Sequence, residues 1–120
     1  DYRPEEVPEQ KIKKTQDKMI IELIKNPDVV ASVAARKDKP FTVGFAAETQ
    51  NVLAYAKGKL EKKNLDMIVA NDVSDQRIGF NSEENAVTVL WHDGSQPFSI
   101  QSKSLLADNI VSLIATQLEN

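Results

Sequence analysis

Apolar positions are distributed unevenly along the chain. The first eighteen residues, "DYRPEEVPEQKIKKTQDK", are charged, polar and broken by two prolines, so they offer a core almost nothing and are expected to form a mobile lid or flap ahead of a domain over 19–120. From Met19 the pattern changes. "MIIELIKN" (19–26) puts Met19, Ile21 and Leu23 on one side at the two-residue period of a strand. "NPDVVASVAARK" then supplies a helix start, with Asn26 as N-cap, Pro27 as first helical residue, and an inward stripe of Val29, Val30, Val33 and Ala34. "FTVGFAAE" (41–48) is nearly continuous in apolar residues, as expected of a central strand covered on both faces. "NVLAYAKGKLEKKN" (51–64) is a helix with Val52, Ala56 and Leu60 inward, despite Gly58, which costs about 1 kcal/mol relative to alanine in a helix interior.

"DMIVANDV" (66–73) is a third strand, followed by a polar loop over 74–85. "AVTVLWHDG" and "PFSIQ" are strands joined through His92-Asp93-Gly94-Ser95, where Asp-Gly is a strong hairpin signal. The chain closes with an amphipathic helix carrying Leu105, Leu106, Ile110, Leu113, Ile114 and Leu118. Strand, helix, strand, helix, strand, then a hairpin and a helix predicts an α/β fold. The expected form is a Rossmann-like three-layer sandwich with a mostly parallel sheet, a C-terminal antiparallel hairpin and a terminal helix.

Length sharpens this picture, since 120 residues suit one domain with one core. The chain opens on Asp1, without a methionine or a signal-peptide pattern, and is expected to be part of a longer protein. Cysteine is absent, which excludes disulfides, thiolate ligands and a cysteine nucleophile and suits the cytoplasm. No apolar run reaches the roughly 18 residues of a membrane span. A net charge of -3 gives no global attraction to nucleic acid or to anionic lipid, and few tyrosine or tryptophan platforms accompany the lysines. Neither nucleic acid nor a membrane is an expected partner.

In an open α/β sheet, ligands bind beyond the carboxyl ends of the strands, which selects Asn26-Pro27-Asp28, Ala47-Glu48-Thr49 and Asn71-Asp72. Asn26-Pro27-Asp28 can be a helix cap alone or a cap that also binds. Asp28 in the first turn would repel a bare phosphate, so this end suits a base or a sugar. Lys59 and Lys63 lie four apart on one helical face, either as a solvated lysine surface or as two ammonium groups for one polyanion. Lys11, Lys13 and Lys14 in "KIKK" are a solubility feature or the charged part of a lid that closes over phosphates. Phe45 is core packing unless its ring is exposed for stacking. His92 is the only histidine and abuts a turn, which argues against a catalytic triad or a histidine metal centre. Asp66, Asp72, Asp75, Glu83 and Glu84 show no EF-hand spacing, so no metal-ligating residues are expected.

The ordered pieces "DYRP", "KIKK", "KNPDVV", "VGFAAET", "KGKLEKKNLDMIVANDVS" and "GFNSEENAVTVLW" resemble, nearly end to end, the C-terminal part of the bacterial phosphopantothenate-cysteine ligases. In that family this part is the second half of a Rossmann-like synthetase domain, commonly fused behind an FMN-containing decarboxylase. The resemblance implies CTP-dependent ligation of 4'-phosphopantothenate with cysteine, through an acyl-cytidylate, in coenzyme A biosynthesis. It also implies Mg2+ on the phosphates and a homodimer, with FMN confined to the decarboxylase.

Carried over position by position, the family's CTP contacts fall on Asp1, Lys11, Pro27, Asp28, Val29, Val30, Phe45, Lys59 and Lys63, with Lys11 also the catalytic residue. The glycine-rich turn and the phosphopantothenate residues of the family lie upstream of Asp1, so the fragment by itself is expected not to complete the reaction. A non-catalytic nucleotide-binding or dimerisation module is the alternative function.

Overall fold

The computed structural model describes residues 1–13, 15, 17–74 and 82–119. Strand β1 (Tyr2–Pro4) and strand β2 (Leu23–Lys25) form a two-stranded antiparallel ribbon, with Tyr2 opposite Lys25 and Pro4 opposite Leu23. Helix α1 (Val29–Ala34) follows, then strand β3 (Val43–Glu48), helix α2 (Val52–Lys62) and strand β4 (Met67–Asp72). Strands β5 (Glu84–Trp91) and β6 (Gly94–Ser102) make the hairpin, and helix α3 (Lys103–Leu118) ends the chain.

The four-stranded sheet runs in the order β3-β4-β5-β6. Only β3 and β4 are parallel, pairing Val43 with Met67 through to Glu48 with Asp72. β4–β5 and β5–β6 are antiparallel. The α/β class, the C-terminal hairpin and the terminal helix are as expected, but the sheet is mixed rather than mostly parallel. The strand expected over 19–26 is reduced to β2 and pairs with β1 instead of joining this sheet.

Two apolar clusters sandwich the sheet. Gly44, Ala46, Ile68 and Ala70 point one way; Ala46, Ile68 and Ala70 pack there with Ala34 of α1, Ala56 and Leu60 of α2, and Leu65. Met67, Val69, Val87 and Val89 point the other way and meet Leu106 and Ile110 of α3. The alternation along β4 is the two-residue period of a strand, buried on both faces because helices cover both. Gly44 lets Leu65 pack close, since a Cβ built there would sit 2.6 Å from the Leu65 Cδ1 atom and force that side chain to shift. Both hydrophobic layers lie against β4, which is therefore the central strand. β3, expected in that place, is an edge strand whose outer backbone side has no partner among the described residues.

Local departures have local causes. Asn26 does not cap α1, because its side-chain Oδ1 accepts from Arg3 Nη1 at 3.1 Å. Asp28 takes the role: it is extended, and its Oδ1 accepts from Ala31 N at 3.0 Å. Pro27 consequently lies before the helix, and α1 starts at Val29. Of the expected stripe on α1, Ala34 is buried and Val33 half-buried, while Val29 and Val30 are exposed. On α3, Leu105 and Leu118 are likewise exposed. The loop expected over 74–85 falls mostly on 75–81, outside the described residues, and its last two positions belong to β5. No described helix is long and apolar enough to cross a membrane.

Candidate nucleotide site at the carboxyl end of the parallel strands

The polar residues gathered at this end arrive from four elements. The ribbon brings the chain start to the turn before α1, where Asn26 N donates to Asp1 O at 3.0 Å. Arg3 pins the same turn by donating to Lys25 O and to Asn26 Oδ1, each at 3.1 Å. Asp28 then does two things. One carboxylate oxygen caps α1, and the other lies 3.0 Å from Lys63 Nζ. The Ala31 N–H bond, with Lys63 second, holds the Asp28 carboxyl below its ordinary value of 3.8.

One helical turn back, Lys59 Nζ lies 2.6 Å from Oε1 of Glu48, the last residue of β3. Glu48 stands opposite Asp72 across the parallel pair, and Asp72 Oδ1 accepts from Ser74 N and Ser74 Oγ. The helical spacing of Lys59 and Lys63 thus sets both ammonium groups on one side, each held by a carboxylate from a different element. Asp1 and Lys63 are joined through the turn before α1, by the Asn26 N to Asp1 O bond and the Asp28–Lys63 ion pair. Neither lysine is part of a freely solvated face, and both present remaining N–H donors.

Phe45 and Lys11 are placed elsewhere. Phe45 alternates to the α3 side of β3 and is 74% exposed, so it is not core; its ring is open for stacking. It borders a cavity of about 330 Å³ with Asn71, Asn85, Leu106 and Ile110. Asn71 Oδ1 is buried there without a hydrogen-bond partner among the described residues. Lys11 is exposed on the segment between β1 and β2 and makes no hydrogen bond or ion pair with another described residue. Its neighbour Lys14 lies outside the described residues. His92 is a turn residue, as expected, with Nε2 3.1 Å from Leu65 O.

Glu48 and Asn71 are selected in the sequence by position, as polar residues at the carboxyl ends of strands, but the pattern assigns neither a partner nor a role. Arg3 has no sequence signal, because its use depends on the ribbon returning Lys25 and Asn26 to it.

Helices on both faces of a mixed sheet, with polar side chains at the ends of its parallel strands, define a three-layer α/β domain. The chain belongs to the family described as the DNA/pantothenate metabolism flavoprotein C-terminal domain, whose model matches residues 1–118. It is 58% identical over 114 residues to the coenzyme A biosynthesis bifunctional protein CoaBC of Vibrio parahaemolyticus, covering 92% of this chain and 29% of that protein. To its Escherichia coli K12 counterpart it is 49% identical, covering 99% of this chain and 30% of the relative. The chain therefore spans about a third or less of the length of these relatives.

Among solved structures, the C-terminal domain of a CoaBC protein superposes with a TM-score of 0.74 at 36% identity, covering 99% of this chain and 50% of that one. The DNA/pantothenate metabolism flavoprotein of Streptococcus pneumoniae superposes with a TM-score of 0.69 at 21% identity over 88% of this chain and 45% of that one, which shows the shared fold. The family ties the chain to proteins of coenzyme A biosynthesis.

Proposed function

We propose that this chain is the CTP-binding part of a phosphopantothenate-cysteine ligase of coenzyme A biosynthesis, acting in the cytoplasm within a longer, homodimeric protein. The observation that carries the proposal is the 3.0 Å ion pair between Lys63 and Asp28, which ties the lysine face of α2 to the turn adjoining Asp1. A polyanion and the sugar or base attached to it could be met at once from that surface.

In the reaction, the carboxylate of 4'-phosphopantothenate attacks the α-phosphorus of CTP, forming an acyl-cytidylate and releasing pyrophosphate. The amine of cysteine then attacks the acyl carbon, an amide bond forms, and CMP leaves with the amine proton lost to solvent. Lys59 and Lys63 hold the phosphates. Asp1 and Pro27, Asp28, Val29 and Val30 fix the base and ribose, and Phe45 offers an open ring face at the sheet edge. Lys11, carried by the long segment between β1 and β2, reaches the phosphates when that segment closes and neutralises the charge that develops on them. Mg2+ bound to the nucleotide would share that neutralisation. Among the described residues no three His, Asp or Glu side chains gather as a metal cage, so the donor set suits an ion that comes with its own phosphate ligands. FMN would belong to the decarboxylase part of the longer protein.

The full-length protein should release pyrophosphate from CTP only when phosphopantothenate is present and should form the amide when cysteine is added. A protein that binds CTP but releases no pyrophosphate would instead be a non-catalytic nucleotide-binding module. Lys11→Gln should lower turnover by tenfold or more, on the order of one lost transition-state contact, while changing CTP affinity less. Turnover unchanged by that substitution would remove the catalytic role of Lys11.

A further inference from the structure

We infer that Glu48 is a positioning residue for nucleotide binding, acting through Lys59; the inference rests on the function proposed above. Glu48 ends β3 at the carboxyl edge of the sheet, and its side chain is only 15% exposed. Its carboxylate oxygen lies 2.6 Å from Lys59 Nζ, and no other ion pair or side-chain hydrogen bond to Glu48 is formed among the described residues. A mostly buried carboxylate is costly unless paired, so this contact is held rather than incidental.

The consequence concerns Lys59 more than Glu48. A lysine on a helix surface ordinarily distributes its ammonium over many rotamers, and ordering it costs entropy each time a ligand binds. Here the sheet supplies a fixed acceptor on one side of the α2 lysine face, while Asp28 of the α1 cap supplies another on the other side. The two ammonium groups are set apart from one another in advance, as binding two phosphates of one chain requires. Lys59 is 43% exposed at its side chain, so its remaining donors stay open while one is used by Glu48. Glu48 therefore does not touch the nucleotide. It determines where Lys59 waits.

The test is steady-state kinetics of the full-length protein with Glu48→Gln, Lys59→Gln and the double variant, with Glu48→Asp as the charge-retaining control. Glu48→Gln should raise KM for CTP about fivefold, the equivalent of one partly exposed ion pair, with kcat little changed. In the Lys59→Gln background the same change should add nothing, because the residue through which it acts is gone. Glu48→Asp should recover part of the affinity.

Thermal unfolding of each variant separates lost folding from lost binding, since a purely structural role would lower the melting temperature without moving KM selectively. If Lys59→Gln raises KM but Glu48→Gln does not, or lowers it, the positioning role is wrong while the nucleotide site stands. If Lys59→Gln leaves KM for CTP unchanged, the proposed nucleotide site itself is wrong, and this inference falls with it.

Discussion

At the scale of single residues, Asp28 combines the most roles. It caps α1, holds Lys63 and sits in the turn that Asp1 and Arg3 stabilise. Its carboxyl titrates below the ordinary value of 3.8, so the charged form contributes stability above that value, which is lost as pH falls through the lower folded value. Asp28→Asn keeps a competent cap but removes the charge. The variant should be less stable than the parent at pH 7, and the gap should narrow below pH 3.8. Urea unfolding at neutral and acid pH reads this directly; a gap of equal size at both would show that the charge contributes nothing.

Residue identities of the candidate site were partly legible in the sequence. Asn26-Pro27-Asp28 and the Lys59/Lys63 pair stood out because helix starts and four-residue spacings are local patterns. The pairing of these residues was not legible, since Glu48 and Asp28 reach the two lysines only once β3 and α1 are packed beside α2. Phe45 shows the same limit from the other side. An aromatic residue within an apolar strand suggests core, and its exposure follows from β3 being an edge that α3 leaves uncovered at that point.

Among the elements, α2 follows its sequence pattern closely. Ala56 and Leu60 are buried at the expected spacing and Val52 packs beside them. Its weak point is Gly58, exposed in mid-helix, where an added Cβ would meet nothing within 4 Å. Gly58→Ala should therefore stabilise the protein by about 0.5 to 1 kcal/mol, through a less flexible unfolded chain and better helix propensity. A raised urea midpoint with an unchanged slope would confirm it, and an unchanged or lowered midpoint would overturn it.

The hairpin and α3 were also legible. The hairpin falls where expected, although the turn itself is His92-Asp93, with Trp91 opposite Gly94 as the first residue of β6, and Ser102 caps α3 by accepting from Leu105 N at 3.2 Å. The short elements were not. Strand β2 has three residues and α1 has six, lengths at which apolar pattern cannot say what the segment pairs with.

For the whole molecule, the radius of gyration is 18.7 Å, against about 14 Å for a compact domain of this length. At the chain start, β1 and β2 pack on each other rather than on the sandwich, and the described residues between them are exposed. Met19, Ile20 and Ile21 are exposed there, with Ile20 at 90%. In the proposed function this segment carries Lys11 onto the nucleotide. Trypsin should therefore cut first at Lys11 or Lys13, and saturating CTP should slow those cuts in the full-length protein while GTP does not. Equal cutting with and without CTP would rule out closure of this segment over bound nucleotide.

The sequence alone determined the α/β class, helix α2, strand β4, the β5–β6 hairpin and helix α3, together with the spacing of the lysine pair. Each of these is encoded within a few residues, by period or turn chemistry. Tertiary structure decided that β2 pairs with β1 outside the sheet, that β3 is an edge, and that Glu48 and Asp28 hold the two lysines. Those outcomes join segments twenty or more residues apart, or different elements. They depend on which surfaces remain to be buried once the locally encoded elements have formed.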